Sequence, residues 1–324
     1  MEVISGLTNW RLTVRREAAG VTILRAVTCD QSAVLPEEVF GLPVTALGDH
    51  ALAAGATPIE GEEVTVLGGA EAAEWNNRSI TALTLPKGLQ TVGDYALMNL
   101  RSMETLRFFD GIQSFGSAAF MNCRCFSRLE LTRADARQGP ALSSVVRNLQ
   151  QELDVTVYRP DGSVLRLIFP EYIENYTENT PAHHFELKII GGGYAYHSVF
   201  RDKALHIPDY DALWRDYIAQ EHDDLSALRL AYYRLRFPVE LGGQAREQYA
   251  AFLRQNSPDA LRFAMLEKDM QGFRMLLEPV SPDAGVLEAA LEEARSLRLT
   301  EATALLLEKR RARPAAGRAR KFEL

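Results

Sequence analysis

Ile80-Thr-Ala-Leu-Thr-Leu-Pro-Lys-Gly-Leu-Gln-Thr-Val-Gly-Asp-Tyr-Ala-Leu-Met-Asn-Leu-Arg-Ser-Met103 is followed by a degenerate copy of itself, because its pattern returns after 23 residues. Laying Ile80–Met103 on Met103–Phe126 sets Leu83 over Leu106, Leu85 over Phe108, Gly88 over Gly111 and Leu89 over Ile112. The match continues through Val92/Phe115, Gly93/Gly116, Ala96/Ala119, Leu97/Phe120 and Asn99/Asn122. Apolar residues at fixed offsets in a repeat of this length predict coils that stack into a solenoid.

Each coil carries a short strand, Leu83-Thr-Leu85, Leu106-Arg-Phe108 or Leu129-Glu-Leu131, with two apolar side chains inward and one polar side chain outward. Stacking aligns Thr84, Arg107 and Glu130 in a column on the exposed sheet face, which makes them the predicted partner contacts. The glycines suit bends where a side chain would clash or φ must be positive. Upstream, Val34–Leu52 ends in Thr45-Ala-Leu-Gly-Asp-His-Ala-Leu52 and forms a further coil with Gly48, Gly93 and Gly116 in register, leaving Gly55–Ser79 as an insertion.

The coil resembles the BspA-like, Treponema-type leucine-rich repeats, which read Leu-x-x-Ile-x-Ile-Pro-x-x-Val-x-x-Ile-Gly-x-x-Ala-Phe-x-x-Cys. Ile80–Leu97 fits nearly position by position and Cys123 falls on the family's cysteine. The resemblance covers about residues 10–131. Phe109 stands where the proline belongs and Leu100 where a cysteine belongs. The family's members are often cell-surface adhesins. Met1–Gly20 lacks a basic segment followed by an apolar run, so the expectation here is a cytoplasmic protein unless a leader was trimmed.

Around the repeat, residues 10–33 read as a β-hairpin or the opening strands of a sheet. After Leu131 the glycine and the apolar spacing disappear, and Leu142–Leu153 reads as a short helix. Val155–Tyr158 and Ser163–Phe169 flank Asp161-Gly162, a hairpin that would cap the last coil. Phe185–Ile190 is a strand or irregular helix. Helical periodicity then predicts Tyr210–Gln220, Asp223–Phe237, Gln244–Gln255, Pro258–Lys268, Gln271–Glu278, Pro282–Ser296 and Thr300–Arg313, with Ser257, Ser281 and Thr300 as caps. Leu261/Leu291, Ala264/Ala294, Leu276/Leu306 and Leu277/Leu307 repeat at 30 residues, which looks like degenerate ankyrin repeats lacking the Thr-Pro-Leu-His opening. The fold class is α+β: a leucine-rich-repeat domain at 1–154, a β-rich connector or cap at 155–207, an α-helical domain at 208–312 and a flexible basic tail at 313–324.

Composition bounds the function. The net charge of −7 conceals +6 on Lys309–Leu324, leaving −13 on the body, which disfavours nucleic acid and anionic membrane as partners. Cys29, Cys123 and Cys125 are read as reduced thiols, since Cys-Arg-Cys is too tight for an ordinary bridge and short of ligands for zinc. His183, His184, His197, His206 and Asp202 share one segment, but adjacent histidines on a strand face opposite ways, so loop or surface histidines are favoured over a metal site. Gly191-Gly-Gly193 lacks the Lys-Ser/Thr of a phosphate loop and shows no helical pattern after it. Tyr194, Tyr196 and Phe200 are read as packing. Leu228, Ala231, Tyr232 and Leu235 form an apolar helix stripe. No nucleophile motif or carboxylate pair emerges. The sequence therefore predicts a non-enzymatic scaffold that binds a protein partner without a cofactor. Two readings compete: a small-molecule or catalytic site around His183–His206, and a nucleic-acid adaptor acting through the tail.

Overall fold

The 23-residue offset reappears as strand pairing in the structure, a computed structural model that describes residues 2–69, 74–134, 139–179 and 184–312. Two compact units divide the chain, Met1–His222 and Asp223–Leu324. The first opens with β1 (Glu2–Ser5), β2 (Trp10–Glu17), β3 (Gly20–Thr28), β4 (Ser32–Val34), β5 (Glu38–Val39), β6 (Leu42–Leu47) and β7 (Glu62–Leu67). The repeat supplies β8 (Ala82–Thr84), β9 (Thr91–Val92), β10 (Thr105–Phe109), β11 (Ser114–Phe115) and β12 (Arg128–Thr132). Leu83 pairs with Leu106 and Leu106 with Leu129, all in parallel.

Helix α1 (Ala141–Val146) separates the repeat from β13 (Leu153–Tyr158) and β14 (Val164–Phe169). The long strands make a sheet in the order β14-β13-β12-β10-β8-β4, and a second sheet runs β1-β7-β2-β3-β6-β9-β11 with β5 on β6. Their inward residues form one core. Leu83, Leu85, Leu106, Phe108, Leu129 and Leu131 are buried, and Phe108 of one sheet meets Phe115 of the other at 5.7 Å.

Three expectations change here. The parallel sheet does not stop at Leu131, because Leu129 pairs with Val155. The step from coil to coil lengthens from 23 to 26 residues to admit α1, which erases the register in sequence and keeps it in space. β13 then turns back into antiparallel β14, the hairpin placed on the last coil. The Gly55–Ser79 insertion contributes β7, which pairs with β1 and β2. Buried Asn77 ties it down, donating to Ala26 O (2.8 Å) and Leu52 O (2.9 Å) and accepting from Thr28 N (3.0 Å). The helix expected over Leu142–Leu153 ends at Val146, and Leu153 already belongs to β13.

β15 (Ile173–Asn179) and β16 (His184–Ile190) form a separate antiparallel hairpin. Helix α2 (Gly193–His197) follows the glycine run at once, although the sequence shows no helical pattern there. Gly193 is needed for close approach, since a Cβ there would stand 2.0 Å from Pro170 O. After the short ribbon β17 (Phe200–Arg201) and β18 (Ala204–Leu205), the helix expected over Tyr210–Gln220 divides at Leu213 into α3 (Ile207–Ala212) and α4 (Trp214–Ile218). The Tyr210 hydroxyl donates to Ile168 O (2.5 Å) and accepts from Ile168 N (3.2 Å). That anchor holds α3 to β14, so the boundary between units falls after His222 and not at 207.

The second unit consists of α5 (Asp224–Arg236), α6 (Gly243–Gln255), α7 (Ser257–Leu266), α8 (Met270–Leu276), α9 (Ala284–Ser296) and α10 (Thr300–Ala312). Asp223, Asp269 and Asp283 cap α5, α8 and α9 through their carboxylates, each accepting a first-turn N–H. Ser257 and Ser281 are not caps: Ser257 lies inside α7, and Asp283 replaces Ser281 because its carboxylate reaches Val286 N. The apolar stripe of α5 is buried, as are Leu261, Leu291, Ala264, Ala294, Leu276 and Leu306.

Candidate functional site

Alternation along β8, β10 and β12 turns Thr84, Arg107 and Glu130 away from the core, and parallel register sets them side by side. The row runs on through Thr156 of β13 to Arg166 of β14. At ~4.8 Å between strands, these five residues span roughly 19 Å. Two of the three predicted contacts hold each other: Arg107 Nε and Nη2 donate to the Glu130 carboxylate at 3.0 and 3.1 Å. Their side chains remain 41% and 29% exposed, so the pair is open to an incoming group and contributes little to stability.

On the neighbouring row, Asp154 is buried and accepts a two-pronged bond from Arg166 at 2.8 and 2.6 Å. Arg128 beside it is exposed and makes no ion pair among the described residues. The third row sets Phe109, Thr132 and Tyr158 in line, with Tyr158 42% exposed. Sequence reasoning missed Thr156, Tyr158 and Arg166, whose strands lie beyond the point where the spacing changes. Arg128 could have been found from the alternation Arg128-Leu-Glu-Leu.

Of the His183–His206 segment, the described His197 and His206 side chains do not share a partner. His197 is buried, contrary to the surface expectation, and its ring nitrogens lie 2.9 Å from Val146 O and 3.0 Å from Pro170 O. Burial pushes its pKa below the ordinary value, against the opposing pull of those carbonyls. His206 faces Asp209 (3.0 Å), which also accepts from Arg201 (2.5 Å). His183 lies outside the described residues. Among the described residues no group of three His, Cys, Asp or Glu could hold a metal. Tyr196 is buried against Tyr210 and Tyr217, while Tyr194 is exposed. The buried Cys123 thiol donates to Leu97 O (3.1 Å), and burial pushes its pKa up to about 12. The tail at 313–324 lies outside the described residues.

In the second unit, Leu225, Leu228, Phe252, Phe263 and Leu266 wall a cleft of about 420 Å³. No helix among the described residues is long and apolar enough to cross a membrane.

Residues 71–138 match the family model of the BspA type leucine rich repeat region (6 copies). The resemblance to BspA-type leucine-rich repeats holds. A T. pallidum leucine rich repeat protein of known crystal structure is similar at 17% identity, over 39% of this chain and 52% of that one, with a TM-score of 0.28. A leucine rich cell surface protein of Faecalibacterium prausnitzii A2-165 is similar at 15% identity, over 46% of this chain and 41% of that one, with a TM-score of 0.28. The chain thus spans about half or less of the length of these leucine-rich repeat proteins. No curated protein matches it.

Proposed function

We propose that the chain is a non-enzymatic protein-binding scaffold in which a short leucine-rich solenoid presents the row Thr84, Arg107, Glu130, Thr156 and Arg166 to another protein. The observation that carries this reading is the unbroken lateral register of that row, flanked by exposed Arg128, which makes no ion pair among the described residues, and by exposed Tyr158. A partner surface with a carboxylate for Arg128 and an apolar contact for Tyr158 complements it. The buried 30-residue repeat supports an ankyrin-like reading of the helix pairs, and Lys268 and Arg298, also 30 apart, both hold left-handed φ after their helices. Affinity capture from lysate with the native chain and with the Arg107→Glu/Arg128→Glu/Tyr158→Ala variant tests the proposal. A protein recovered by the native chain and lost by the variant supports it; no recovered protein, or identical recovery, overturns it.

The second reading is a small-molecule site in the cleft of the second unit, which Asp224, Asn256, Asp259 and Arg262 line together with the apolar residues, favoured by its volume and its partly exposed Leu225 and Leu266. It differs from the His183–His206 location, where His197 and His206 have separate partners.

A further inference from the structure

Among the described residues, β15 and β16 pair only with each other, which leaves each strand with an open outer edge. A two-stranded ribbon by itself is only marginally stable in water. This one also exposes apolar side chains on the face where Tyr176 pairs with Leu187: Tyr176 is 63% and Leu187 48% exposed, and Ile189 continues the face. An open edge beside an exposed apolar strip is the signature of a strand awaiting another strand.

The charges along β16 identify which strand fits. Glu186 and Lys188 flank Leu187 and are both exposed. When β16 runs antiparallel to a second β16 about a twofold axis at Leu187, Glu186 of each copy lies directly across from Lys188 of the other. Two opposite-charge pairs form in that register, and the two Leu187 side chains meet between two Tyr176 side chains. The apolar strip then becomes continuous across four strands. The β15 edge offers no such match, because Ile173–Asn179 carries Glu174 and Glu178 and no base. A strand from an unrelated protein could use the edge but would have no reason to reproduce the twofold charge pattern.

We propose that this chain self-associates through the outer edge of β16, antiparallel and centred on Leu187. The contact is small, so the dimer is weak and dependent on concentration.

Sedimentation of the full chain from about 1 to about 300 µM tests this. The native chain should pass from monomer to dimer over that range. Glu186→Lys alone, or Lys188→Glu alone, should raise the dimer Kd about tenfold by placing like charges opposite each other. Glu186→Lys combined with Lys188→Glu should bring the Kd back to the native value. Amide exchange in β16 of the native chain should slow as concentration rises, a readout that needs no variant. Monomer at every concentration, a dimer indifferent to the single reversals, failure of the double swap to restore it, or unchanged exchange in β16 would each overturn the proposal.

Discussion

Gly93 and Gly116 hold the same place in successive coils, where a Cβ would stand 2.6 Å from Asp49 N and 2.4 Å from Asp94 N. Coils touch there: Asp49 Oδ1 accepts from Asp94 N (2.8 Å) and Asp94 Oδ1 accepts from Ser117 N (2.7 Å). The left-handed backbone falls elsewhere, on His50, Tyr95 and Ala118 and again on Asn99 and Asn122. Of the two reasons for these glycines, close approach is therefore the operative one. Gly116→Ala should cost about 1–3 kcal/mol by forcing coils apart, whereas Gly48→Ala, with nothing nearer than 3.5 Å, should cost much less. Urea midpoints of the two variants decide it, and equal losses would refute the explanation. His197 gives a pH-dependent counterpart. Its folded pKa lies below the ordinary 6.5, so the unfolded chain binds more protons and stability falls as pH drops below 6.5. The stability gap between native protein and His197→Gln should narrow from pH 7.5 to pH 5.5; a widening gap would reverse the sign.

Helix α8 is tied to α5 through one carboxylate. Asp269 accepts from Gly272 N (2.9 Å), from the Tyr232 hydroxyl (2.8 Å) and from Arg236 Nε (2.8 Å). Burial pushes this carboxyl up, but Arg236, the Gly272 N–H and Tyr232 together outweigh burial and hold it below its ordinary value. Asp269→Ala should destabilise the second unit by about 3 kcal/mol, since a cap and a charged bond are lost together. The stabilisation should be complete at neutral pH, begin to fade as pH falls below the ordinary carboxyl value of 3.8 and be lost as pH passes the depressed folded value. Thermal melts at pH 7 and pH 3 would show the variant's deficit shrinking in acid. Elements of this kind were partly legible in sequence. β8, β10 and β12 follow from a fixed 23-residue period, and Asp223 caps α5 where the acidic pair begins. β13 was legible as a strand but not as the next member of the sheet, because three extra residues shift its offset. β7 was hidden because a single strand in an insertion, though it pairs with both β1 and β2, repeats no pattern that the sequence shows elsewhere. The side chains joining α5 to α8 are 33 to 37 residues apart, and only folding makes them neighbours.

At the scale of the whole chain, the question is how many stacked elements each unit needs. Helix pairs that cannot bury their apolar faces alone become stable at about three repeats. The 30-residue match marks only two, α7/α8 and α9/α10, and two should not suffice. The structure adds α5/α6, whose Leu230, Ala231, Tyr249 and Leu253 are buried, so Asp223–Leu324 holds three pairs. The first unit has its own core between two sheets, with Leu106 fully buried on the central β10. Each unit should therefore fold by itself. Fragments 1–222 and 223–324, produced separately, should each unfold cooperatively in urea with native-like circular dichroism. Leu106→Ala in the first fragment and Leu291→Ala in the second should each cost about 2–5 kcal/mol, the price of an unfilled core position. A gradual, non-cooperative transition in 223–324 would mean that three helix pairs are too few and that this unit depends on the rest of the chain.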